Sequence, residues 1–157
     1  MKERPKTGEK NKLLNELISK QIKDSNLYPK KKLQYNDLKR ICKYINGSIF
    51  DENKCCIWNG YITNENKPNK GTYINFYFNR KKIAIHRLLY INFVGNLNND
   101  EYLKFSCENK GKCCNVTHLK KFKFYKEEEN DKKIIKKAKK SKIIKITREK
   151  SLTLNFD

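Results

Sequence analysis

Apolar residues first recur at helical spacing near the N-terminus. Leu13, Leu14, Leu17, Ile18 and Ile22 fall on one face at a 3.6-residue period, which predicts a helix over 11–23 capped by Asn11. Ahead of it, residues 1–9 are polar and basic, carry Pro5 and Gly8, and read as a disordered basic N-terminus. Pro29 and a Lys30-Lys31-Lys32 run interrupt the pattern. A second stripe of Leu38, Ile41, Cys42 and Ile45 then predicts a helix over 36–45, stopped by Asn46-Gly47. Cys42 lies on that stripe and is expected as a buried thiol. Residues 10–53 thus read as an N-terminal helical segment.

From Lys54 the period shortens. Residues 55–63 and 72–79 predict strands, the second rich in aromatic and β-branched residues, and the Asn/Lys/Pro/Gly-rich stretch 64–71 predicts the loop between them. Arg80-Lys81-Lys82 predicts a turn into a third strand at 83–85. His86 to Val94 then predicts a helix that ends before Gly95. Residues 97–105 lead through a polar turn and a brief extended piece to a cysteine-rich stretch. Tyr73, Phe76 and Tyr77 divide between core and surface with no clear side. After Leu119, Lys and Phe alternate to Tyr125. Residues 131–150 carry nine Lys and one Arg against two acids, with Ile134, Ile135, Ala138, Ile143, Ile144 and Ile146 spaced for a loosely amphipathic helix. No internal repeat is visible.

Composition narrows what this pattern can build. In 157 residues with 37% hydrophobic and 34% charged content, one small core fits and gains from a staple. The net charge of +20 points to a polyanionic partner, because neutralising phosphates releases condensed counterions. AT-rich coding accounts for the excess of Lys over Arg and for the many Asn, and such a bias suits a large DNA virus. It does not account for lysines clustering in the tail, so a nucleic acid is the expected partner. The first residues lead into no apolar signal segment and no run reaches transmembrane length, so no membrane role is expected. An intracellular location follows, whether nucleus, viral factory, virion or cytoplasm.

Six cysteines in such a chain favour metal over disulfides. The stretch Cys107-Glu-Asn-Lys-Gly-Lys-Cys-Cys-Asn-Val-Thr-His118 places three or four soft ligands within twelve residues, around a Lys-Gly-Lys that can turn the backbone. Zinc binds thiolate and imidazole tetrahedrally, so this knuckle can fill three corners, with Cys55 the candidate for the fourth.

The succession Cys55-x-x-Trp58-x-Gly60, His86-Arg-Leu-x-Tyr90, Gly95, and Cys107…Cys113-x-Asn115-x-x-His118-Leu119 resembles the HNH, or His-Me finger, homing-endonuclease type of domain. It covers about half the chain, residues 54–130, with residues 131–157 as a basic C-terminal extension. Val116 stands where proline is usual. The resemblance implies a small α+β fold of the zinc-stabilised ββα-metal type, with structural Zn²⁺ on Cys55, Cys107, Cys113 and His118. Cys56 and Cys114 are the adjacent alternatives. It also implies that the β-ribbon and the metal-site helix face DNA. Arg80, Lys81, Lys82 and Arg87 would then contact phosphates, with Lys132, Lys133, Lys136, Lys137, Lys139 and Lys140 of the tail.

The family's general base is a histidine two residues before the first knuckle cysteine, a position held here by Phe105. A phenyl ring takes no proton, so the usual hydrolytic step loses its base. His86 belongs to the His-Arg helix and is expected as a structural residue or phosphate contact, with displaced base as the alternative. About nine residues past the zinc histidine the family places an Asn or His for a catalytic divalent ion. Here Glu127 stands there, with Asn130 three further on. Either could offer oxygen to Mg²⁺, though an acidic start to a helix is the favoured reading of Glu127. The expected function is therefore binding of nucleic acid, duplex DNA first, without cleavage. Two alternatives stand beside it: an active Mg²⁺-dependent HNH endonuclease with a substituted base, and a structural or transcription-associated protein whose zinc domain docks a protein partner.

Overall fold

The computed structural model describes residues 6–23 and 29–125. Contacts divide the chain after Lys123, and every element named below lies on the N-terminal side of that division. In order these are α1 (Thr7–Lys20), α2 (Tyr35–Cys42), β1 (Asn75–Phe78), β2 (Lys81–Ala84), α3 (Ile85–Phe93), β3 (Glu101–Phe105) and β4 (Leu119–Lys123), with short 3-10 turns at Pro29–Lys31 and Val116–His118. Among the described residues the fold is a small α+β domain made of three helices and two two-stranded antiparallel sheets.

Helix α1 begins four residues before the expected Asn11 cap, at Thr7, with no capping side chain at Lys6. Its stripe is narrower than expected. Leu14 and Leu17 are buried and Leu13 packs at the edge of the core, whereas Ile18 is 40% exposed. Helix α2 starts at Tyr35, where the Asp37 carboxylate accepts from the Gln34 backbone N–H and satisfies one orphan donor of the first turn. It ends at Cys42, three residues before the expected stop, but Leu38, Ile41, Cys42 and Ile45 are all buried.

The expected strand over 55–63 does not form. That stretch makes only two isolated bridges, Ile57 with Cys113 and Thr63 with Tyr73. The hairpin after it is shorter than expected, and its turn sits earlier. Lys81 and Lys82 are strand residues, and Asn79-Arg80 alone form a two-residue turn with φ of 47° and 62°. Positive φ at both central positions is what a type I′ hairpin turn requires. Strand β1 alternates as a half-buried strand should: Ile74, Phe76 and Phe78 point inward, while Tyr73, Asn75 and Tyr77 are exposed.

One core joins the helical segment to the region after Lys54. Leu17, Leu33, Leu38, Ile41 and Ile49 pack with Trp58, Ile74, Phe76, Ile85, Leu88 and Leu89. Buried Asn92 on α3 ties the two parts by polar bonds. Its Oδ1 accepts from Gln21 Nε2 and Leu33 N, and its Nδ2 donates to the carbonyls of Lys31 and Leu88, all at 2.8–3.0 Å. A smaller cluster of Tyr90, Ile91, Leu97 and Leu119, with Leu103 and Phe105, seats the β3–β4 sheet on α3.

Candidate metal centre

The β3–β4 sheet is closed at one end by the cysteine-rich knuckle, residues 106–118. Phe105 pairs with Leu119, and Ser106 N–H donates to the His118 carbonyl at 2.8 Å. Within the loop, Gly111 has φ of 79°, and a Cβ there would meet the Thr72 carbonyl oxygen at 1.9 Å. Only glycine permits this backbone approach between the knuckle and the chain leading into β1.

The fourth ligand residue arrives by backbone pairing. Trp58 N–H donates to Lys112 O at 3.0 Å and Cys114 N–H to Cys56 O at 2.7 Å, which lays residues 55–58 along 112–114. Cys55, Cys107, Cys113 and His118 are thereby gathered with all their ligand atoms within 4.8 Å of one another, a group that could hold a metal ion. His118 Nδ1 lies 3.6 Å from both Cys55 Sγ and Cys113 Sγ. A tetrahedral zinc, with bonds of about 2.3 Å to sulfur and 2.0–2.1 Å to nitrogen, sets that edge at about 3.6 Å.

The surroundings hold these ligands in place. His118 Nε2 lies 3.0 Å from the Glu52 carbonyl. Donation of its N–H there leaves the Nδ1 lone pair facing the thiols, the usual outer partner of a ligating histidine. Asn115, fully buried, locks the knuckle to the segment that presents Cys55. Its Nδ2 donates to the carbonyls of Asp51 and, at 2.8 Å, Lys54, while its Oδ1 accepts from Thr117 N and Oγ1 at 2.9 and 2.6 Å. Asn115 N–H also points at Cys113 Sγ, 3.4 Å away. Without metal, the three thiols differ in how readily they ionise. Burial pushes the Cys113 thiol up to about 12 and raises Cys107 as well, whereas a hydrogen bond with the Asn109 side chain lowers Cys55. Loading a metal therefore displaces protons held at Cys107 and Cys113.

Cys56 and Cys114, the adjacent alternatives, lie outside this group. Both lie in the hydrophobic core, 3% and 0% exposed, and burial pushes Cys56 up to about 11 and Cys114 well above the usual thiol value. The reason is geometric: neighbouring side chains on extended backbone point to opposite sides, so if Cys55 and Cys113 face the metal, Cys56 and Cys114 face away. Cys42 is likewise a buried core thiol. All six cysteines are unpaired.

Phe105, at the end of β3, has its ring 5.3 Å from the half-buried imidazole of His86 on α3. Burial, helped by Arg87, lowers the His86 pKa to about 4, so the ring is neutral at physiological pH. Arg80, Lys81 and Lys82 are exposed at and after the hairpin turn, and Arg87 is half-buried on α3. Glu127, Asn130 and the tail lysines from Lys132 to Lys140 lie outside the described residues. The Glu52 carbonyl and Asn109 are contributors that motif reading misses. Asn115 is a position of the knuckle motif, but its bonds to Asp51 and Lys54 leave no mark in the sequence.

No protein-family profile and no solved structure matches the chain. It is similar to an uncharacterized protein of Acanthamoeba polyphaga mimivirus, 52% identical over 157 aligned residues that take in 96% of this chain and 45% of the viral protein. The chain thus spans about half the length of the relative it matches.

Proposed function

We propose that this chain is a nucleic-acid-binding domain, with duplex DNA as its first target, pinned by zinc on Cys55, Cys107, Cys113 and His118. The observation that carries the reading is the knuckle itself. A Cys3His group with two thiol–imidazole edges of tetrahedral length closes an antiparallel strand pair, in a chain of net charge +20. A strand, a metal-holding loop and a returning strand fit the ββ part of a ββα-metal finger, the part that the described residues take in, and this is what supports the resemblance to the HNH type. By that resemblance Arg80, Lys81, Lys82 and Arg87 meet phosphates, which position a duplex without reading its sequence. Phe105 occupies the place of the base, so the domain grips without cutting. The viral relative suits the lysine- and asparagine-rich composition.

A second reading, an active nuclease, draws support from one contact. His86 packs against Phe105, beside the position where the family's base would stand. One gel separates the two. The full chain is loaded with zinc and incubated with supercoiled plasmid, with and without Mg²⁺, and half of each sample is deproteinised. Retarded, uncut plasmid that persists at moderate salt is the expected result. Nicked product that needs Mg²⁺ would replace the binding reading with the nuclease. Retardation that vanishes at moderate salt would mark the charge as incidental and favour a protein-docking role.

A further inference from the structure

Away from the metal centre, α2, the loop at 58–61 and strand β1 enclose a cleft of about 330 Å³, at the small end of the range for ligand pockets. Aromatic rings dominate its lining. Trp58 is buried, with the Tyr44 ring 4.9 Å away at 32°, while Tyr44, Tyr61 and Tyr77 are 41%, 83% and 57% exposed. Gly60 makes room for the indole and the Tyr44 ring, since a Cβ there would lie 2.5 Å from Trp58 Nε1 and 3.0 Å from Tyr44 Cδ1.

Among the described residues, the charged ones lining the cleft are Arg40 and Lys43, with no carboxylate. Arg40 is held rigid. Asp37 binds it at 2.7 Å, it donates to the Tyr77 carbonyl at 2.8 Å, and its guanidinium lies 4.4 Å from the centre of the Phe76 ring. Lys82 pairs with Tyr77 across the hairpin, on the same side of the sheet. Three exposed tyrosines around a fixed indole, with cations at the rim, match one kind of occupant. It is flat and aromatic on its faces and anionic along its edge.

We propose that this cleft stacks an unpaired base of a single-stranded nucleic acid, with Lys43 and Lys82 meeting the flanking phosphates. The inference rests on the nucleic-acid reading above and adds a ligand class to it. In a duplex the base faces are already stacked, so the cleft distinguishes single strands from duplex held by phosphate contacts alone.

Trp58 is the sole tryptophan, so its fluorescence reports from the cleft itself. The zinc-loaded full chain is titrated with an oligothymidylate of about a dozen nucleotides, with an abasic strand carrying the same phosphates, and with a duplex of equal length. Oligothymidylate should quench Trp58 and bind roughly tenfold tighter than the abasic strand. Tyr61→Ala and Tyr77→Ala, both at exposed positions, should each remove about that advantage and leave duplex binding and melting temperature unchanged. Tyr61→Phe should retain it. Equal binding of the two single strands, or alanine variants that bind oligothymidylate like the parent, overturns the cleft proposal and leaves the plasmid-binding reading standing. Failure of every polymer to bind at moderate salt overturns both.

Discussion

Replacing Asn115 by alanine tests whether the knuckle is held for metal or merely packed. The side chain makes four hydrogen bonds, two to the carbonyls of Asp51 and Lys54 and two from Thr117. Each contributes about 1 kcal/mol net, and a carbonyl left buried without a partner costs roughly 1–3 kcal/mol. Solvent reaching part of the gap lowers the sum, so Asn115→Ala should destabilise the domain by about 3–5 kcal/mol. Because Asn115 joins the knuckle to the segment ending at Cys55, zinc affinity should also fall, by about 10–100-fold as for other outer-shell partners. Asn92→Ala is the control. Asn92 has a comparable set of bonds but sits on α3, tying Gln21, Lys31 and Leu33. It should lose similar stability and keep its zinc affinity in the folded state. Urea unfolding gives the first quantity, and competition against a chromophoric zinc chelator gives the second. An Asn115→Ala variant with parental zinc affinity, or with a stability loss under about 1 kcal/mol, would refute the argument.

Two further outcomes follow from the same structure. His86 titrates near 4 when folded against 6.5 in the open chain, so between those values the unfolded state binds the extra proton. Stability is then whole above pH 6.5 and falls as pH drops toward 4, by about 3 kcal/mol in full. Subtracting the urea-derived stability of His86→Phe, measured with excess zinc at each pH, should isolate this slope, and parallel profiles would contradict it. Arg80 holds φ of 62° in a turn position that suits glycine, a strain of about 1 kcal/mol. Arg80→Gly should therefore raise the melting temperature by several degrees while weakening plasmid retardation. A variant that is less stable than the parent would show that Arg80 is not strained.

The helices and the aromatic hairpin were legible because each is a local pattern. The Leu38–Ile41–Cys42–Ile45 stripe and the alternation through Tyr73–Phe78 state their own period, and only their ends shifted. Residues 55–63 misled because β-branched and aromatic content signals a strand, whereas their backbone groups are used singly, on Lys112 and Tyr44 for example. The β3–β4 pair was hidden because its partners are joined only through the knuckle, and no local pattern records pairing across such a loop. The four residues that could hold a metal were named from residue type and spacing. Their exclusion of Cys56 and Cys114 could have been read too, since extended backbone turns successive side chains to opposite sides. Asn92 left a faint mark as the one polar residue in Leu88-Leu89-Tyr90-Ile91-Asn92-Phe93-Val94. The His86–Phe105 contact left none, because it depends on how α3 meets the β3–β4 sheet.

One zinc per chain is expected to pin the centre of the fold. Metal analysis of the purified full chain, followed by thermal melting with and without a strong chelator at neutral pH, tests it directly. Structural zinc supplies an apparent 10–16 kcal/mol in small zinc-folded peptides, comparable with the whole stability of a domain, about 5–15 kcal/mol. One equivalent of zinc and loss of the cooperative transition after chelation are the expected results. A chain that carries no zinc, or one that melts identically with the chelator present, would contradict that expectation.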